Sequence, residues 1–564
     1  MIAPSDLTAA ERAVARAVPR GLEVDLRAAG PASPGAGAPV ERTGPPGAGA
    51  SAERTVRASV LRAVLLGGAR PVGEVPALRL AGARVSGVLD LANATVDCPV
   101  RFRDCTFDEP PDLHAARTRQ INLTGSVFPG ITAAGIRMDG ALHLTGCHST
   151  GEIRLAGARI AGALLMEGAR LESGTGEVLL LDPAHIANDL WAPGLRAYGR
   201  IRLAGAELGG ALNLEDAVLD DPAGLALHAG NLTVGSGIMA ARLRARGEVR
   251  LTGARVTATG NLESAVLDNP GGPALTATVC TVGLDLIAAS LRSTGEVRFR
   301  GARIAGRLDL SGATLSASGA ALSAEDSVPD ARGAAMDAKG TALNADGCAA
   351  GELSLRGAAP VGGRVSLRRA QAGVLEVEPG TWPDEVALNG LTYGSLLPHL
   401  PARERLPVLD RDGDGYVPHA YEQLAAEYAR IGDDDSARRV RLARQRRHRR
   451  TLPWYGRAWG HLQDATVGYG YRPMRAATWL AALLVAGTLA FGLHHPPPLD
   501  AGKAPGFNPL VYTLDLLVPI ADFGQASAYA PQGAYQWLSY LLVAAGWLLA
   551  TTVLAGITRT INRP

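Results

Sequence analysis

The sequence is poor in aromatic residues, and it lacks the motifs that bind common redox cofactors. Phe, Trp and Tyr together make up 5% of the 564 residues, whereas Gly occurs 69 times. This composition suits a coiled fold with tight, glycine-rich corners better than one large globular core. No Gly-x-Gly-x-x-Gly motif stands at a strand-to-helix turn, and no redox Cys-x-x-Cys pair, haem-type Cys pair or histidine cluster occurs. The sequence therefore predicts no cofactor-binding site and no metal site, and it leaves any catalytic residue unknown.

Cysteines are also scarce, and their number is odd. They are Cys98, Cys105, Cys147, Cys280 and Cys348. Their scattered spacing predicts small core residues in a reducing compartment rather than disulfides or a metal cluster. An export signal is missing as well, because charged residues interrupt every apolar group between Met1 and Gly21.

A five-residue motif such as Gly-Glu-Val-Arg-Leu recurs along the chain at a fixed 48-residue interval. It begins at Gly151, Gly199, Gly247 and Gly295. A repeat that keeps its register over this distance indicates one supersecondary unit stacked on copies of itself.

Within each block, apolar residues recur at intervals of two, as in Val297 and Phe299, which is strand periodicity. Turn residues such as those at 268–272 divide a block into two halves. We therefore predict a mainly β fold, a right-handed parallel β-helix (β-solenoid) with a 48-residue two-coil repeat over residues 76–390. Roughly thirteen coils, each about 4.8 Å deep, would make a rod on the order of 60 Å long.

Such a rod offers a surface rather than a pocket, and we expect a protein partner on this solenoid face. Arginines at one position of the repeat should stack into a ladder. They are Arg154, Arg202, Arg250 and Arg298. The neighbouring Glu152, Glu248 and Glu296 predict a solvated ladder of balanced charge.

The residues before the solenoid predict a cap. Residues 1–28 indicate an N-terminal amphipathic helix, and residues 29–52 are a linker rich in Pro, Gly and Ala. Residues 53–75 have apolar side chains at helical spacing, which predicts a capping helix over the first open coil. Near the other end, the strand pattern dissolves between Ala320 and Cys348, which predicts a protruding loop.

The segment Asp410–Gly415 matches the first half of a calcium-binding loop, with carboxylates at alternate positions. The second half does not match, because Pro418 occupies position nine and Tyr421 occupies position twelve. We favour a turn that leads into a helix and keep calcium binding as the alternative.

Residues 406–465 predict a helical hairpin with an arginine-rich second helix. The net charge of the whole chain is only +2 and gives no reason to expect a nucleic-acid partner, but this segment is strongly basic. Its arginines are Arg438, Arg439, Arg441, Arg444, Arg446, Arg447, Arg449 and Arg450, and no acidic residue occurs from Ser436 to Gln463. We predict that they contact the anionic head groups of a lipid bilayer.

Residues 474–564 predict a membrane domain with two transmembrane helices. Ala476–Leu493 and Trp537–Ile557 are uncharged and long enough to cross a bilayer. The arginines that flank both segments predict a multi-pass protein of the cell membrane, with both termini and the solenoid in the cytoplasm.

The connection between these segments contains a short apolar stretch, residues 507–523, that is broken by proline. We predict an interfacial or re-entrant segment, in which Asp515 and Asp522 are candidate functional carboxylates at membrane depth. The order of span, short helix and span also occurs in two-span cation channels. A filter-like Gly-Tyr-Gly-Tyr sequence does occur at residues 468–471, but it precedes the first span.

Three stretches, Tyr421–Ala425, Gly468–Pro473 and Leu514–Ile520, together with the Gly-Ala-x-Leu coils, resemble a family of actinobacterial proteins. These pentapeptide-repeat-like membrane proteins are often labelled membrane-associated oxidoreductases, and the resemblance covers nearly the full length. It implies redox activity, although no cofactor motif accompanies it.

Three functional hypotheses follow. The first is a membrane-anchored cytoplasmic solenoid that acts as a binding or scaffolding protein. The second is the oxidoreductase that the resemblance implies, and the third is a degenerate pore-like channel or transport element. The sequence favours the first.

Overall fold

The computed structural model describes residues 6–27, 54–67, 74–221, 224–317, 340–451, 453–454, 473–500, 502, 505–518 and 522–561, without the side chains of 473–476 and 550–561. The chain divides into two compact units. One comprises Met1–Leu400 with Pro407–Gly415, and the other comprises Pro401–Leu406 with Tyr416–Pro564.

The first unit is a parallel β-solenoid of about 13 turns, as the repeat predicted. Each turn has short strands in two sheets, and inward side chains such as Leu142, Leu164 and Leu190 are buried in register with one another. Because coil follows coil with parallel pairing, the interior is a stack of aliphatic layers.

Two sheets, called A and B, contain all of the strands described in this unit. The strands of sheet A are Glu23–Asp25, Leu78–Ala81, Thr95–Val96, Val100–Arg103, Arg117–Thr118, Ile121–Asn122, Arg137–Met138, Leu142–His143, Arg159–Ile160, Leu164–Leu165, His185–Ile186, Leu190–Trp191, Glu207–Leu208, Leu212–Asn213, Thr233–Val234, Ile238–Met239, Arg255–Val256, Gly260–Asn261, Thr281–Val282, Leu286–Ile287, Arg303–Asp309, Ala349–Ser354, Gln371–Glu376 and Thr392–Leu397. The strands of sheet B are Thr55–Arg57, Arg84–Ser86, Thr106–Phe107, Val127–Phe128, Ile131–Thr132, His148–Ser149, Ile153–Arg154, Arg170–Leu180, Arg196–Arg202, Val218–Asp220, Leu227–His228, Arg244–Arg246, Val249–Arg250, Val266–Thr276, Arg292–Arg298, Thr314–Ser316, Thr341–Asn344, Arg364–Ser366 and Val386–Ala387.

From Leu164 to Leu308 the repeat consists of two unequal coils, as the two-coil block predicted. The extension of this block to residue 76 was wrong, because the coils that pair Ile121, Leu142 and Leu164 are all short. Leu164 pairs with Leu190 in the next coil, and Leu190 pairs with Leu212 in the coil after that. The first of these steps takes more residues than the second. The longer coil carries its extra residues in sheet B, where the register shifts between Glu172 and Glu177. The same shift recurs between Asp268 and Pro273.

The irregular segment that the sequence places between Ala320 and Cys348 begins at the corresponding position of a later block. Residues 318–339 lie outside the described residues. The strand Thr341–Asn344 rejoins sheet B beside Arg364–Ser366. The prediction of an irregular segment as far as Cys348 was therefore wrong at its C-terminal end, because alternate apolar residues resume at Ala342.

The N-terminal cap is more than the two helices predicted. Helix α1 covers Ala9–Ala17 rather than residues 1–28, and it is followed by a 3₁₀ turn, Val18–Arg20. The strands Glu23–Asp25 and Thr55–Arg57 then extend both sheets by pairing with the first coil. Helix α2, Ala58–Leu66, follows at the capping position predicted for it.

Six further helices are described after the solenoid strands. They are α3 (Ala402–Leu409), α4 (Pro418–Arg430), α5 (Asp434–Thr451), α6 (Pro473–Leu493), α7 (Pro509–Leu517) and α8 (Ala534–Ile561), and a 3₁₀ turn covers Pro379–Thr381. Helices α4 and α5 form the predicted hairpin, and α6, α7 and α8 pack against one another.

Candidate functional site

One cavity inside the solenoid is too small and too apolar to suit a substrate or a cofactor. This cavity of about 30 Å³ lies beside Gly260, and its lining is apolar. Gly260 pairs with Ile238 and Leu286 in neighbouring coils, so the space corresponds to a missing aliphatic side chain. A void of this size and polarity is a packing defect rather than a binding pocket.

The five cysteines are free and buried, as predicted. Burial raises the pKa of Cys105 to about 11 and the pKa values of Cys147, Cys280 and Cys348 to about 12. Because the thiolate is the reactive form, these thiols are poor nucleophiles and poor metal ligands.

The arginine ladder of sheet B is balanced, as predicted. Arg154, Arg250 and Arg298 lie 2.8, 2.7 and 2.8 Å from the glutamates two residues earlier, Glu152, Glu248 and Glu296. In the remaining coil, Arg200 takes the place of that glutamate. Arg202 pairs instead with Glu177 at 3.1 Å and with Asp182 at 2.5 Å. The ladder therefore has little free charge with which to attract a partner.

The calcium-like loop completes the C-terminal end of the solenoid. The carboxylate of Asp412 accepts hydrogen bonds from the backbone N–H groups of Leu388 and Asp414, at 3.1 and 2.9 Å. Asp414 pairs with Arg368, which lowers the pKa of Asp414. Helix α4 begins directly after the loop, at Pro418, as the favoured interpretation predicted. No group of three metal-ligating side chains occurs among the residues described.

Helix α5 carries the eight arginines that the sequence assigns to membrane contact. The hairpin from residue 416 to 451 contains nine arginines and five carboxylates, so it has a surplus of positive charge. All five carboxylates lie before Ser436. Asp433 caps the helix by accepting the backbone N–H of Ser436 at 2.9 Å, and its pKa is lowered by that hydrogen bond. The acidic end and the basic end of α5 are thus separated along the helix, in the direction that the helix dipole favours.

Local ion pairs hold some of these arginines. Arg439 lies 2.5 Å from Asp435 on the same helix, and Arg444 lies 2.5 Å from Glu422 on α4. Val440 and Leu442 of the same helix are buried and hold α5 in place. The exposed guanidinium groups of Arg446 and Arg450 are therefore presented by a helix whose rotation is set by its packing.

Helices α6, α7 and α8 share a small core and leave a large apolar face open. Phe491, Tyr512 and Leu542 form the centre of that core. On the outer faces, Trp537, Leu493 and Leu489 are exposed to 75%, 79% and 62%. Exposed apolar surface of this kind marks contact with a membrane or with another protein.

Glycines let these three helices approach closely. A Cβ atom at Gly546 of α8 would lie 2.2 Å from the carbonyl oxygen of Leu517, at the end of α7. A Cβ atom at Gly487 of α6 would lie 2.3 Å from Cγ2 of Thr513, in the middle of α7. Helix α7 therefore packs against α6 and α8 where each has no side chain.

The connection between α6 and α8 is built around Asp515. Its carboxylate accepts the backbone N–H groups of Phe523, Gln525 and Ala526, at 2.9, 3.0 and 2.7 Å. Asp522 is exposed and accepts the N–H of Gly524 at 2.8 Å. The structure thus gives both predicted carboxylates a local structural role, and α7 is the short helix predicted within residues 507–523.

Asp515→Ala should therefore destabilise the connection, by about 2 kcal/mol, because three backbone donors lose a charged acceptor. Protease resistance of the segment after α7, followed in purified full-length protein, measures the effect. Asp522→Ala is the matched control and should change resistance little, since it removes one exposed hydrogen bond. Equal effects from the two substitutions would contradict this role for Asp515.

No helix among the described residues is long and apolar enough to cross a membrane. The two transmembrane helices predicted from the sequence therefore receive no support from the structure. The filter-like sequence at 468–471 lies outside the described residues.

Comparison with known proteins does not place this chain in a family. No family model matches the sequence, and neither a curated protein nor a solved structure is significantly similar to it. The evidence for function is therefore the geometry of the described residues.

Sequence reasoning missed a second set of arginines, which lies on sheet A and includes Arg117, Arg137 and Arg159. They recur once in each of three consecutive coils, and they lie outside the motif that marks the two-coil block. Alignment of single coils, rather than of two-coil blocks, would have revealed them.

Proposed function

We propose that this protein is a scaffold attached to a lipid bilayer. The solenoid displays a binding surface, and the helices after it anchor the protein in the membrane. The observation that carries the proposal is the open apolar face of α6 and α8. Its exposed side chains include Trp479, Trp537 and Trp547. Tryptophan prefers the boundary between lipid and water, so we expect this face to contact lipid.

The arginines of α5 supply the second contact. Anionic head groups attract basic segments beside a membrane, by about 1 kcal/mol for each arginine near the surface. The arginines at the end of α5 lack acidic neighbours in sequence from Ser436 to Gln463. We therefore assign head-group binding to the last two turns of α5.

The two-span topology belongs to the same proposal. Its support is the uncharged sequence of Ala476–Leu493 and Trp537–Ile557. Both termini would then lie in the cytoplasm. A reporter that is active only outside the cytoplasm, fused after Pro564, should stay inactive, and an active reporter would refute this topology.

Vesicle flotation of the full-length protein tests membrane attachment. We expect flotation with phosphatidylcholine vesicles through the apolar helices, and stronger binding when phosphatidylserine is added. Replacing Arg446, Arg447, Arg449 and Arg450 with Gln should weaken the phosphatidylserine-dependent part and leave binding to phosphatidylcholine unchanged. Protein that stays unbound with both kinds of vesicle, without detergent, would overturn the proposal.

The oxidoreductase and pore hypotheses gain no observation of their own from the described residues. A stoichiometric flavin, haem or nicotinamide spectrum in purified protein would favour the oxidoreductase. Ion flux that depends on Asp515 would favour the pore.

A further inference from the structure

A column of three arginines lies on the outside of sheet A. Arg117, Arg137 and Arg159 occupy the same register in consecutive coils. Their Cα atoms are therefore about 4.8 Å apart, one strand spacing. All three are exposed, and within the part of the chain that the structure describes their side chains have no ion pair or hydrogen bond.

A second column of the same sheet adds to the positive charge. Arg79 and Arg101 are exposed and in register with each other, and Arg119 is exposed beside Arg117. We call these six arginines the cationic face: Arg79, Arg101, Arg117, Arg119, Arg137 and Arg159. His143 lies two coils beyond Arg101 in the second column, and its pKa is lowered by burial and by the charge of Arg101.

Other exposed arginines of sheet A, such as Arg255 and Arg303, have threonine rather than arginine beside them in the register. Several arginines elsewhere in the solenoid have carboxylate partners. Arg84 lies 2.8 Å from Asp108, Arg242 lies 2.7 Å from Asp216, and Arg246 lies 3.5 Å from Asp220. Like charges in register on neighbouring strands destabilise a sheet. Three consecutive arginines without carboxylate partners therefore indicate an anion that comes from outside the chain.

The shape of the cationic face and the residues beside it favour an extended anionic surface over a small anion. The second column continues from His143 to Leu165 and then to Trp191, whose side chain is 36% exposed. Arginines beside an exposed tryptophan and an aliphatic side chain match the boundary of a bilayer, where cations meet phosphate groups and indole rings lie at head-group level. The six positions span about five coils, on the order of 20 Å, along a sheet rather than around a groove.

We propose that the cationic face of the solenoid lies against the anionic phospholipids of the membrane that anchors the protein. This inference rests on the proposed function, because the helices bring the solenoid to the bilayer. The scaffold is then held lying on the membrane, and the faces that point away from the lipid remain available to a partner.

Energy transfer between the solenoid and labelled lipid tests the inference in the full-length protein. The native cysteines are buried, so a dye on Ala161→Cys, an exposed position next to the column, reports on this face. The acceptor is a head-group dye in vesicles of phosphatidylcholine alone or mixed with phosphatidylserine. We expect transfer that requires phosphatidylserine and weakens with salt.

The decisive variant is the triple substitution Arg117→Gln, Arg137→Gln and Arg159→Gln. Each arginine near an anionic surface changes the equilibrium by roughly fivefold, so the triple variant should shift it by roughly 100-fold toward the free solenoid. The matched control is Arg84→Gln, Arg242→Gln and Arg246→Gln, which removes the same charge from paired positions and should leave transfer unchanged. A triple Arg→Lys variant of the column should keep the transfer and shows that loss is not caused by misfolding.

The outcomes separate this inference from the proposed function. If the unsubstituted protein does not float with phosphatidylcholine vesicles, membrane attachment itself is refuted. Intact flotation with equal transfer in the column variant and the control would overturn the cationic face alone. Arginine-dependent binding of inorganic polyphosphate in detergent, without transfer on phosphatidylserine vesicles, would overturn it in favour of a soluble polyanion.

Discussion

Glu11→Gln is expected to destabilise the N-terminal end of the solenoid by about 2 kcal/mol at neutral pH. The Glu11 side chain is fully buried and accepts four hydrogen bonds. Arg57 donates three of them, from its backbone N–H at 3.0 Å and from its guanidinium at 2.7 and 2.8 Å, and Thr8 donates its N–H at 2.9 Å. An amide would place its own donor group against some of these donors, so buried N–H groups would lose their acceptor.

The same contact makes the stability depend on pH. The Arg57 guanidinium holds the pKa of Glu11 at about 2, below its ordinary value of 4.5. A carboxylate with a lowered pKa contributes its full stabilisation above its ordinary pKa and loses it as the pH falls toward the lowered one. The difference in stability between the wild type and Glu11→Gln should therefore shrink over this range.

Hydrogen exchange of the first coil, at several pH values, measures this effect where it occurs. Glu23→Gln is the matched control, because Glu23 pairs with Arg103 at 2.6 Å but both side chains are exposed. Exposed ion pairs contribute about 0–1 kcal/mol. Equal loss of protection in Glu11→Gln and Glu23→Gln would contradict the role of Glu11. A difference between the wild type and Glu11→Gln that already disappears near neutral pH would contradict it as well.

Gly546→Leu should have the largest effect, a loss of roughly 3 kcal/mol or more in the stability of the helices after the solenoid. A Cβ atom at this position would already overlap the carbonyl oxygen of Leu517. Because the obstacle is backbone, α7 and α8 would have to separate, and the core around Tyr512 and Leu542 would open.

The fluorescence of Trp537 and Trp547, both on α8, follows thermal unfolding of these helices in detergent. Ala544→Leu is the control, since Ala544 lies on the same helix with its side chain exposed. It should be neutral, because leucine is a good helix former. Circular dichroism of the β structure should not change in either variant. Equal melting of Gly546→Leu and Ala544→Leu would contradict the close approach.

Repetition made most of the fold predictable from the sequence. The interval between Gly151 and Gly199, together with strand periodicity, was sufficient for the coil, the two-coil block and the approximate number of turns. The ends were less predictable because they lack repetition. Glu23–Asp25 reads locally as the end of a helix, and its strand forms only because the first coil offers an open edge. Asp412 resembles a calcium ligand in sequence, and only the tertiary structure brings it to the N–H of Leu388.

The candidate surfaces show the same limit. The arginines of α5 are adjacent in the sequence and could be found by inspection. The cationic face is assembled from residues a whole coil apart, so its charge emerges only when the coils are stacked. Asp515 was singled out as a costly carboxylate, but its acceptor role depends on a turn that follows α7.

The alternation of a long and a short coil has a consequence for how this scaffold can change in length. Between Leu164 and Leu308, where the coils alternate, deleting a single coil would join two long coils or two short coils, and the extra residues of sheet B would no longer recur at every second level. Removing or duplicating a whole two-coil block would preserve every neighbour relation along the stack. The alternating part of the scaffold therefore keeps its pattern when it changes length in increments of about 10 Å, two strand spacings, and a partner that binds the repeat there would meet equivalent sites at that interval.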